Sequence, residues 1–242
     1  ETAAGNLSYR NEDLALFELR PVFAPVDGEE LPRESLRLAA LMCGRRDPEG
    51  WAQAADACDF YDLKGCVEHL FETLRIADVR WDADRSDCFY HPGKSASIYG
   101  GDLLLGTIGE LHPGLAKEFD LNRRVLLCDL DLEAVFDKAG DFPGFVPLSR
   151  YPDIARDSAV LIDASIPAQQ VFDALNKVRI KDLESIILFD VYSGAGIPEG
   201  KKSLAIRARY RALDRTLTDE LIQKQHGKLI AILEKEFNAE LR

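Results

Sequence analysis

The residues most suggestive of chemistry lie in the stretch GAGIPEGKKS, where glycines precede two lysines and a serine. A phosphate-binding P-loop needs a glycine five positions before its Gly-Lys pair and a serine or threonine directly after the lysine, because each position supplies an amide or a hydroxyl to phosphate. Those two positions hold Ala195 and Lys202 here. The stretch therefore does not match a nucleotide-binding loop, and its flanking sequence is the better guide.

Strand-forming runs flank this stretch, because SIILFDVYS precedes it and KSLAIRARYR follows it; this arrangement predicts a hairpin loop. Strand side chains alternate between faces, so the second run separates an apolar face from a charged one. The apolar face carries Leu204, Ile206, Ala208 and Tyr210, and the charged face carries Arg207, Arg209 and Arg211. The charged face predicts either a solvated sheet surface or a surface that binds a partner.

Composition and chain start limit the class of protein. The chain has 242 residues, of which 46% are hydrophobic, and this composition predicts globular domains instead of disorder. No apolar run reaches the ~18 residues of a membrane helix, and the first residues, ETAAGNLSYR, lack the apolar core of a signal peptide. We therefore expect a cytoplasmic protein without a membrane partner. The missing initiator methionine suggests a piece of a longer protein.

Cysteines and histidines give no pattern typical of a metal site. The five cysteines are odd in number and lack a CxxC pair, which favours buried free thiols over disulfides or a zinc ribbon. The four histidines are scattered without HExxH or other ligand spacing, so we predict no metal. The cysteines are Cys43, Cys58, Cys66, Cys88 and Cys128.

The net charge of -12 is unevenly distributed along the chain. Up to residue 142 there are 15 basic against 28 acidic residues, whereas the remainder has 15 against 14. The richest basic run extends from Lys201 to Arg215. This asymmetry indicates that the second part is the one suited to an anionic partner.

The pattern of apolar residues predicts two domains. The segment DFPGFVPLSRYP contains three prolines and a glycine, so we predict a boundary near Phe142 and domains at 1–142 and 147–242. The second domain shows a strand-helix-strand-strand-helix-strand order, which predicts a ferredoxin-like βαββαβ fold whose helices leave the arginine face open. The first domain alternates hairpins with a helix around DLKGCVEHLFETL, which predicts an α+β fold with an antiparallel sheet.

Several motifs carry a family resemblance. The stretches SRYPDIARDSAVLID, FDVYSGAGIPEGKKSLAIRARYR, RTLTDE and AELR resemble the ferredoxin-fold anticodon-binding domain of the bacterial phenylalanyl-tRNA synthetase β subunit. The stretches LFELRPVF, FYDLKGCVEHL, FYHPGKSASI, GTIGELHP and CDLDLEAVF resemble the catalytic-like module that precedes it. The two modules occur in the family's order and cover nearly the whole chain, although the first begins partway through, so its sheet is expected to be incomplete.

The resemblance implies a subunit fragment of a class II phenylalanine–tRNA ligase. The family's enzyme contains two α and two β subunits and uses ATP and Mg²⁺ to charge the phenylalanine tRNA, with the chemistry in the α subunit. The family's editing module and β-subunit magnesium site precede Glu1. The arginine motifs that hold ATP in class II enzymes are absent from this chain. We therefore expect an inactive fragment without catalytic residues, cofactor or metal, whose partners are the α subunit, a second β subunit and the phenylalanine tRNA, and not DNA.

The resemblance also suggests which residues contact tRNA. Cations hold phosphates while aromatic rings stack on unpaired loop bases. The predicted tRNA-binding residues are Tyr192, Lys201, Lys202, Arg207, Arg209 and Arg211. Ser193 stands where other members of the family often carry arginine or another polar residue, a difference expected to weaken one backbone contact.

Other family motifs favour structural roles. Arg150 and Tyr151 belong to the SRYP motif, and Arg156 with Asp157 is interpreted as an internal ion pair at the start of a strand. His91 and His112, each followed by proline, are interpreted as turn-forming elements, because the spacing places no nucleophile or carboxylate beside them.

Two other functions remain open on the sequence alone. A βαββαβ unit also occurs in ACT-type regulatory modules that bind an amino acid. Alternatively, the chain is a pure assembly scaffold whose acidic first part docks on the α subunit. A fold alone does not choose among these functions.

Overall fold

A computed structural model describes residues 1–52, 54–83, 88–141 and 148–242. The chain divides into two compact units, Glu1–Gly144 and Phe145–Arg242. The boundary predicted near Phe142 lies outside the described residues. Within the described residues, none of the helices combines the length and apolar composition needed to cross a membrane.

The first unit is an α+β domain built on one antiparallel sheet. Its described helices are α1 (Thr2–Ser8), α2 (Phe60–Thr73), α3 (Pro113–Glu118) and α4 (Leu132–Asp137). Its described strands are β1 (Leu14–Ala24), β2 (Arg33–Cys43), β3 (Val79–Asp82), β4 (Tyr90–Gly100), β5 (Leu103–Leu111) and β6 (Val125–Asp131). The strand order is β1-β2-β6-β5-β4-β3, and all neighbours are antiparallel.

Helix α2 covers one face of this sheet. The Asp59 carboxylate accepts hydrogen bonds from the first turn and Asp62 accepts one from the Asp59 amide, so a capping box begins the helix where the predicted apolar spacing starts. Leu63, Val67 and Phe71 recur at helical spacing and pack into the core against the sheet. The opposite face of the sheet carries Arg37 and its carboxylate partners.

The second unit has the predicted ferredoxin-like fold. Its elements are β7 (Ile154–Asp163), α5 (Ala168–Lys177), β8 (Leu183–Tyr192), β9 (Lys201–Tyr210), α6 (Asp219–Phe237) and β10 (Glu240–Leu241). The strand order is β10-β7-β9-β8, again antiparallel throughout. Strand β9 is therefore central and β8 is an edge strand.

Both helices of the second unit pack on the same side of its sheet. The β9 residues of the apolar face are fully buried against Val171 of α5 and Leu229 of α6. Thr218 caps the start of α6 by accepting a hydrogen bond from the Leu221 amide. The other side of the sheet, which we call the open face, has no described helix over it.

The expectation of buried thiols is correct for three cysteines and wrong for two. Cys43, Cys58 and Cys128 are buried, and burial raises the pKa of the Cys128 thiol to about 12. Cys66 and Cys88 are exposed. Cys66 lies on α2 three residues after buried Leu63, at the edge of the core-facing stripe, where its side chain reaches solvent. Among the described residues, no group of three or more His, Cys, Asp or Glu side chains converges as metal ligands do.

Candidate nucleic-acid interface

The arginines of β9 project from the open face of the second sheet. Leu204, Ile206, Ala208 and Tyr210 alternate with them and are buried on the helix side. Because neighbouring side chains in a strand point to opposite faces, Arg207 and Arg209 lie away from the helices, and Arg211 follows just after the strand ends. The structure therefore brings these three predicted site residues together.

Arg207 is held by a two-point ion pair. Its Nε and Nη2 atoms donate to the two Asp157 carboxylate oxygens, each at 2.7 Å, across the β7–β9 register. Hydrogen bonds from this guanidinium lower the pKa of Asp157 below its usual value, and the carboxylate raises the pKa of Arg207. Asp157 therefore stays ionised at neutral pH. The guanidinium carbon of Arg207 also lies 5.1 Å from the centre of the Phe189 ring.

Arg209 and Arg211 are held less firmly than Arg207. They share Asp153, with nitrogen–oxygen distances of 3.3 and 3.4 Å, and Arg211 also lies 3.3 Å from Glu184. Within the described part of the chain, the Nε atoms of both arginines are buried and have no hydrogen-bond partner. Their donors are therefore less fully used than those of Arg207.

The two predicted lysines lie on opposite faces of the sheet. Lys201 is on the open face and forms an ion pair with Glu240. Lys202 pairs in the sheet with Ile162, which is buried on the helix side. Its ammonium donates to the carbonyl oxygens of Ala164 at 3.0 Å and Ile166 at 2.5 Å, so it ties β9 to the chain before α5. The structure thus separates Lys202 from the arginines.

A β-bulge in the edge strand decides where Tyr192 points. Leu188 pairs with Ile206, and Asp190 pairs with Ala205, which is the adjacent residue on the antiparallel strand β9. Phe189 is therefore an extra residue in β8. A bulge reverses the alternation that follows it. Strict alternation would place Tyr192 with Leu188 on the helix side, whereas the bulge moves it to the open face. Its hydroxyl donates to the Ala195 carbonyl at 3.2 Å, and its side chain remains 42% exposed.

Phe189 is a candidate contact residue that sequence reasoning missed. Its side chain is 51% exposed and its ring adjoins Arg207. Both its position in an edge strand and its place at a bulge depend on pairing with β9. The signal that the sequence offered for this residue was an aromatic side chain in the strand that precedes the arginine-bearing strand.

Charge on the open face is balanced more closely than the arginine count suggests. Asp157 pairs with Arg207, and Asp153 and Glu184 lie against the other two arginines. The longer contacts of Arg209 and Arg211 are weak because water and salt screen them, so an anionic partner can exchange with Asp153 and Glu184.

The predicted pair between Arg156 and Asp157 is wrong. Arg156 instead forms an ion pair with Asp219 at the start of α6, while Asp157 pairs with Arg207. Adjacent residues of a strand face opposite ways, which prevents the predicted pair from forming inside β7. The structural role predicted for Arg156 remains, because it connects the strand to a helix.

The family histidines occupy structural positions in the first unit. The Nδ1 atom of His112 accepts a hydrogen bond from the Gly114 amide at 3.0 Å and caps α3, which matches its interpretation as a turn-forming residue. His91 lies at the start of β4, and its Nδ1 atom is buried without a hydrogen bond among the described residues.

Comparison with protein families gives two matches along the chain. Residues 1–132 match the family described as the phenylalanyl tRNA synthetase beta chain CLM domain. Residues 149–242 match the family described as the ferredoxin-fold anticodon binding domain. The two matches fall on the first and second units, respectively.

Individual relatives agree with the family matches. Phenylalanine–tRNA ligase beta subunits from Syntrophotalea carbinolica, Geobacter sulfurreducens and Moorella thermoacetica are 50%, 43% and 42% identical over the whole chain. The chain spans about 30% of the length of each relative. A pyrrolysyl-tRNA synthetase structure from Desulfitobacterium hafniense is 14% identical over 55% of this chain and 45% of that one; at a TM-score of 0.40 this likeness carries no argument.

Proposed function

We propose, because the chain belongs to the phenylalanyl-tRNA synthetase β-chain family, that it supports the charging of tRNA with phenylalanine by binding the anticodon region through its second unit. The relatives are ligase subunits, and the present chain corresponds to about 30% of their length. In this proposal its place is with the translation machinery of the cytoplasm, and its partners are the synthetase α subunit, a second β subunit and the phenylalanine tRNA.

One observation carries the proposal. Within the residues that match the anticodon-binding family, both helices pack on one side of the sheet, and arginine and aromatic side chains occupy the other. Single-stranded loops are recognised by stacking of unpaired bases and by cations that hold the phosphates. Arg209 and Arg211 supply loosely held cations, and Tyr192 supplies an exposed ring. Lys201 adds a charge on the same face.

The first unit has a supporting role in this proposal, and the arginine on its sheet face is already engaged. Arg37, on the sheet face opposite α2, donates to both Asp129 and Asp131, with nitrogen–oxygen distances between 2.9 and 3.2 Å. A triphosphate at this place would meet two carboxylates in addition to one occupied guanidinium. In this proposal ATP and Mg²⁺ act in the complete enzyme, and the first unit contributes to assembly with the α subunit.

A titration of the chain with an anticodon stem-loop tests this function. The probe is the stem-loop of the phenylalanine tRNA, compared with a stem-loop of unrelated anticodon, at low salt and at about 0.15 M salt. We expect tighter binding of the phenylalanine loop, weakening as salt rises because phosphate contacts release counterions. If neither loop binds even at low salt, the anticodon function is wrong for this chain.

The ion pairs of the open face favour one alternative, a pure assembly scaffold. In that case Asp157, Asp153 and Glu184 would keep the arginines for internal structure. The same titration separates the two functions. A scaffold binds the α subunit without measurable affinity for either stem-loop, whereas the proposed function requires both interactions.

A further inference from the structure

Phe189 occupies an unusual place on the open face. It is the extra residue of the β8 bulge, so it lies outside the regular pairing with β9. Bulges re-aim side chains and often lie beside functional sites. Half of this ring is exposed although burial would be the favourable state for an apolar aromatic. The backbone thus presents an aromatic ring at the edge of the sheet.

Asp157 fixes a guanidinium beside this ring. The two-point pair on the neighbouring strands engages the Nε and Nη2 atoms of Arg207, at 2.7 Å each. The guanidinium carbon then lies 5.1 Å from the ring centre, within the range of a cation–π contact. This pair fixes the guanidinium beside the ring, and the ionised Asp157 carboxylate repels an approaching phosphate. A planar group held next to an exposed ring is suited to stacking.

We propose that Phe189, with the Arg207 guanidinium that Asp157 holds against it, is a stacking site for one unpaired nucleobase. This inference rests on the proposed anticodon function and divides its surface into two parts. Arg209 and Arg211 hold the backbone phosphates, whereas Phe189 and Arg207 hold a base. Aromatic rings and guanidinium planes both stack on bases, and every base offers a suitable π-face.

Salt dependence distinguishes the two parts of the surface. A phosphate contact releases counterions and contributes to the slope of affinity against salt, whereas a stacking contact does not. The loss of stacking is expected to weaken binding at every salt concentration by the same factor. The loss of a phosphate contact is expected to weaken it most at low salt.

The test uses the whole chain and the phenylalanine stem-loop with 2-aminopurine at single loop positions. Phe189→Leu removes the ring and keeps an apolar side chain, and Phe189→Trp keeps a ring. Val191→Ala is the matched control, because it is an exposed apolar residue of the same strand whose sheet partner, Leu204, lies on the helix side. We expect Phe189→Leu to weaken binding at least about fivefold with an unchanged salt slope and to reduce the quenching of one loop base. Phe189→Trp and Val191→Ala should retain wild-type affinity.

Three results would overturn the inference. If the wild-type chain binds the stem-loop and Phe189→Leu binds equally well, the stacking site is wrong while the anticodon function stands. If Phe189→Leu lowers the salt slope, the ring supports a phosphate contact instead. If the wild-type chain binds no stem-loop, both proposals are wrong. Should Phe189→Leu fail to fold, the wild-type chain still tests the site, because stem-loop binding that changes 2-aminopurine fluorescence at none of the loop positions would also count against stacking.

Discussion

Each of the two units has a sheet face with arginine–carboxylate pairs, but the pairs differ in how completely they use the arginines. In the first unit a single guanidinium, Arg37, serves two carboxylates on β6. In the second unit Arg209 and Arg211 share Asp153 at longer distances, and their Nε atoms make no hydrogen bond among the described residues. The number of arginines therefore says less about binding than how firmly each guanidinium is held within its own domain.

The two faces also differ in their aromatic residues. Phe189 and Tyr192 lie exposed on the open face of the second unit, next to the arginines. On the first sheet, Tyr90 is buried and its hydroxyl lies 3.2 Å from that of Thr107. An exposed ring beside a guanidinium provides surface for a base, whereas a buried ring stabilises its own domain. The proposed function therefore assigns nucleic-acid binding to the second unit.

The largest effect is expected from two matched core substitutions, one in each unit. Leu204 in the second unit and Leu130 in the first are both fully buried. We expect Leu→Ala at either position to lower the free energy of unfolding by about 2–5 kcal/mol, because it leaves a cavity. Only Leu204→Ala should also weaken stem-loop binding as its unit melts. Thermal unfolding with parallel titrations measures both, and equal loss of binding in Leu130→Ala would contradict a site confined to the second unit.

A smaller effect concerns the loosely held arginines. We expect the double variant Arg209→Gln, Arg211→Gln to lower the slope of log affinity against log salt by about two, one for each phosphate contact. Titrations at four or more salt concentrations measure the slope. Arg37→Gln in the first unit is the matched control and should leave the slope unchanged. If Arg207→Gln lowers the salt slope and the double variant does not, Arg207 holds a phosphate and the roles assigned to these arginines are reversed.

The two lysines of β9 sharpen the contrast between sheet faces. Lys202→Gln should lower the free energy of unfolding by about 1 kcal/mol, because charged hydrogen bonds to two carbonyl groups are lost, and should not alter the salt slope. Lys201→Gln should show the reverse, a slope reduced by about one with little change in stability, because exposed ion pairs contribute little. Urea unfolding measures the stability of both variants, and salt titration measures their slopes. If the two variants show the same changes, the assignment of the two lysines to different sheet faces is contradicted.

The smallest effect is a pH dependence confined to the second unit. His226 lies between Ser158, 2.7 Å from its Nε2 atom, and Tyr210, 3.0 Å from its Nδ1 atom. Burial, together with nearby Arg156, lowers the pKa of His226. The unfolded chain then binds a proton more readily, so the associated stability is complete above the ordinary pKa of 6.5 and is lost as the pH falls through the lowered value.

Urea unfolding of the second unit between pH 8 and pH 5 measures this dependence. A His226→Gln variant should unfold with a flatter pH profile over the same window, although its stability at pH 8 is expected to be lower. An equally steep profile in the variant would assign the dependence to other groups.

Much of the second unit follows from its sequence. The alternation in KSLAIRARYR separates buried Leu204 from Arg207. The same alternation places Lys202 on the helix side, so the sequence was sufficient to separate Lys202 from the arginines. Thr218 marks the start of α6 because its hydroxyl satisfies an amide that the helix leaves unpaired. These features depend on neighbours only a few residues away.

The ion pairs could not be predicted in the same way. Asp157 and Arg207 are 50 residues apart, and their pairing requires the register between β7 and β9. The incorrect pair of Arg156 with Asp157 came from sequence proximity, although neighbours in a strand point apart. The exposure of Cys66 and Cys88 likewise depends on packing and not on residue type.

Apolar periodicity along the chain is enough to predict two α+β units, the buried side of β9 and the arginines on its other side, because it sets which faces leave water. The contacts of those arginines and the directions of Phe189 and Tyr192 emerge only when the strands pair. Both depend on strand register: a single extra residue at Phe189 reverses the face of everything after it in β8. The alternation of side chains in β9 therefore places the arginines of the candidate site. One bulge in β8 and three carboxylates from other strands and loops complete the site.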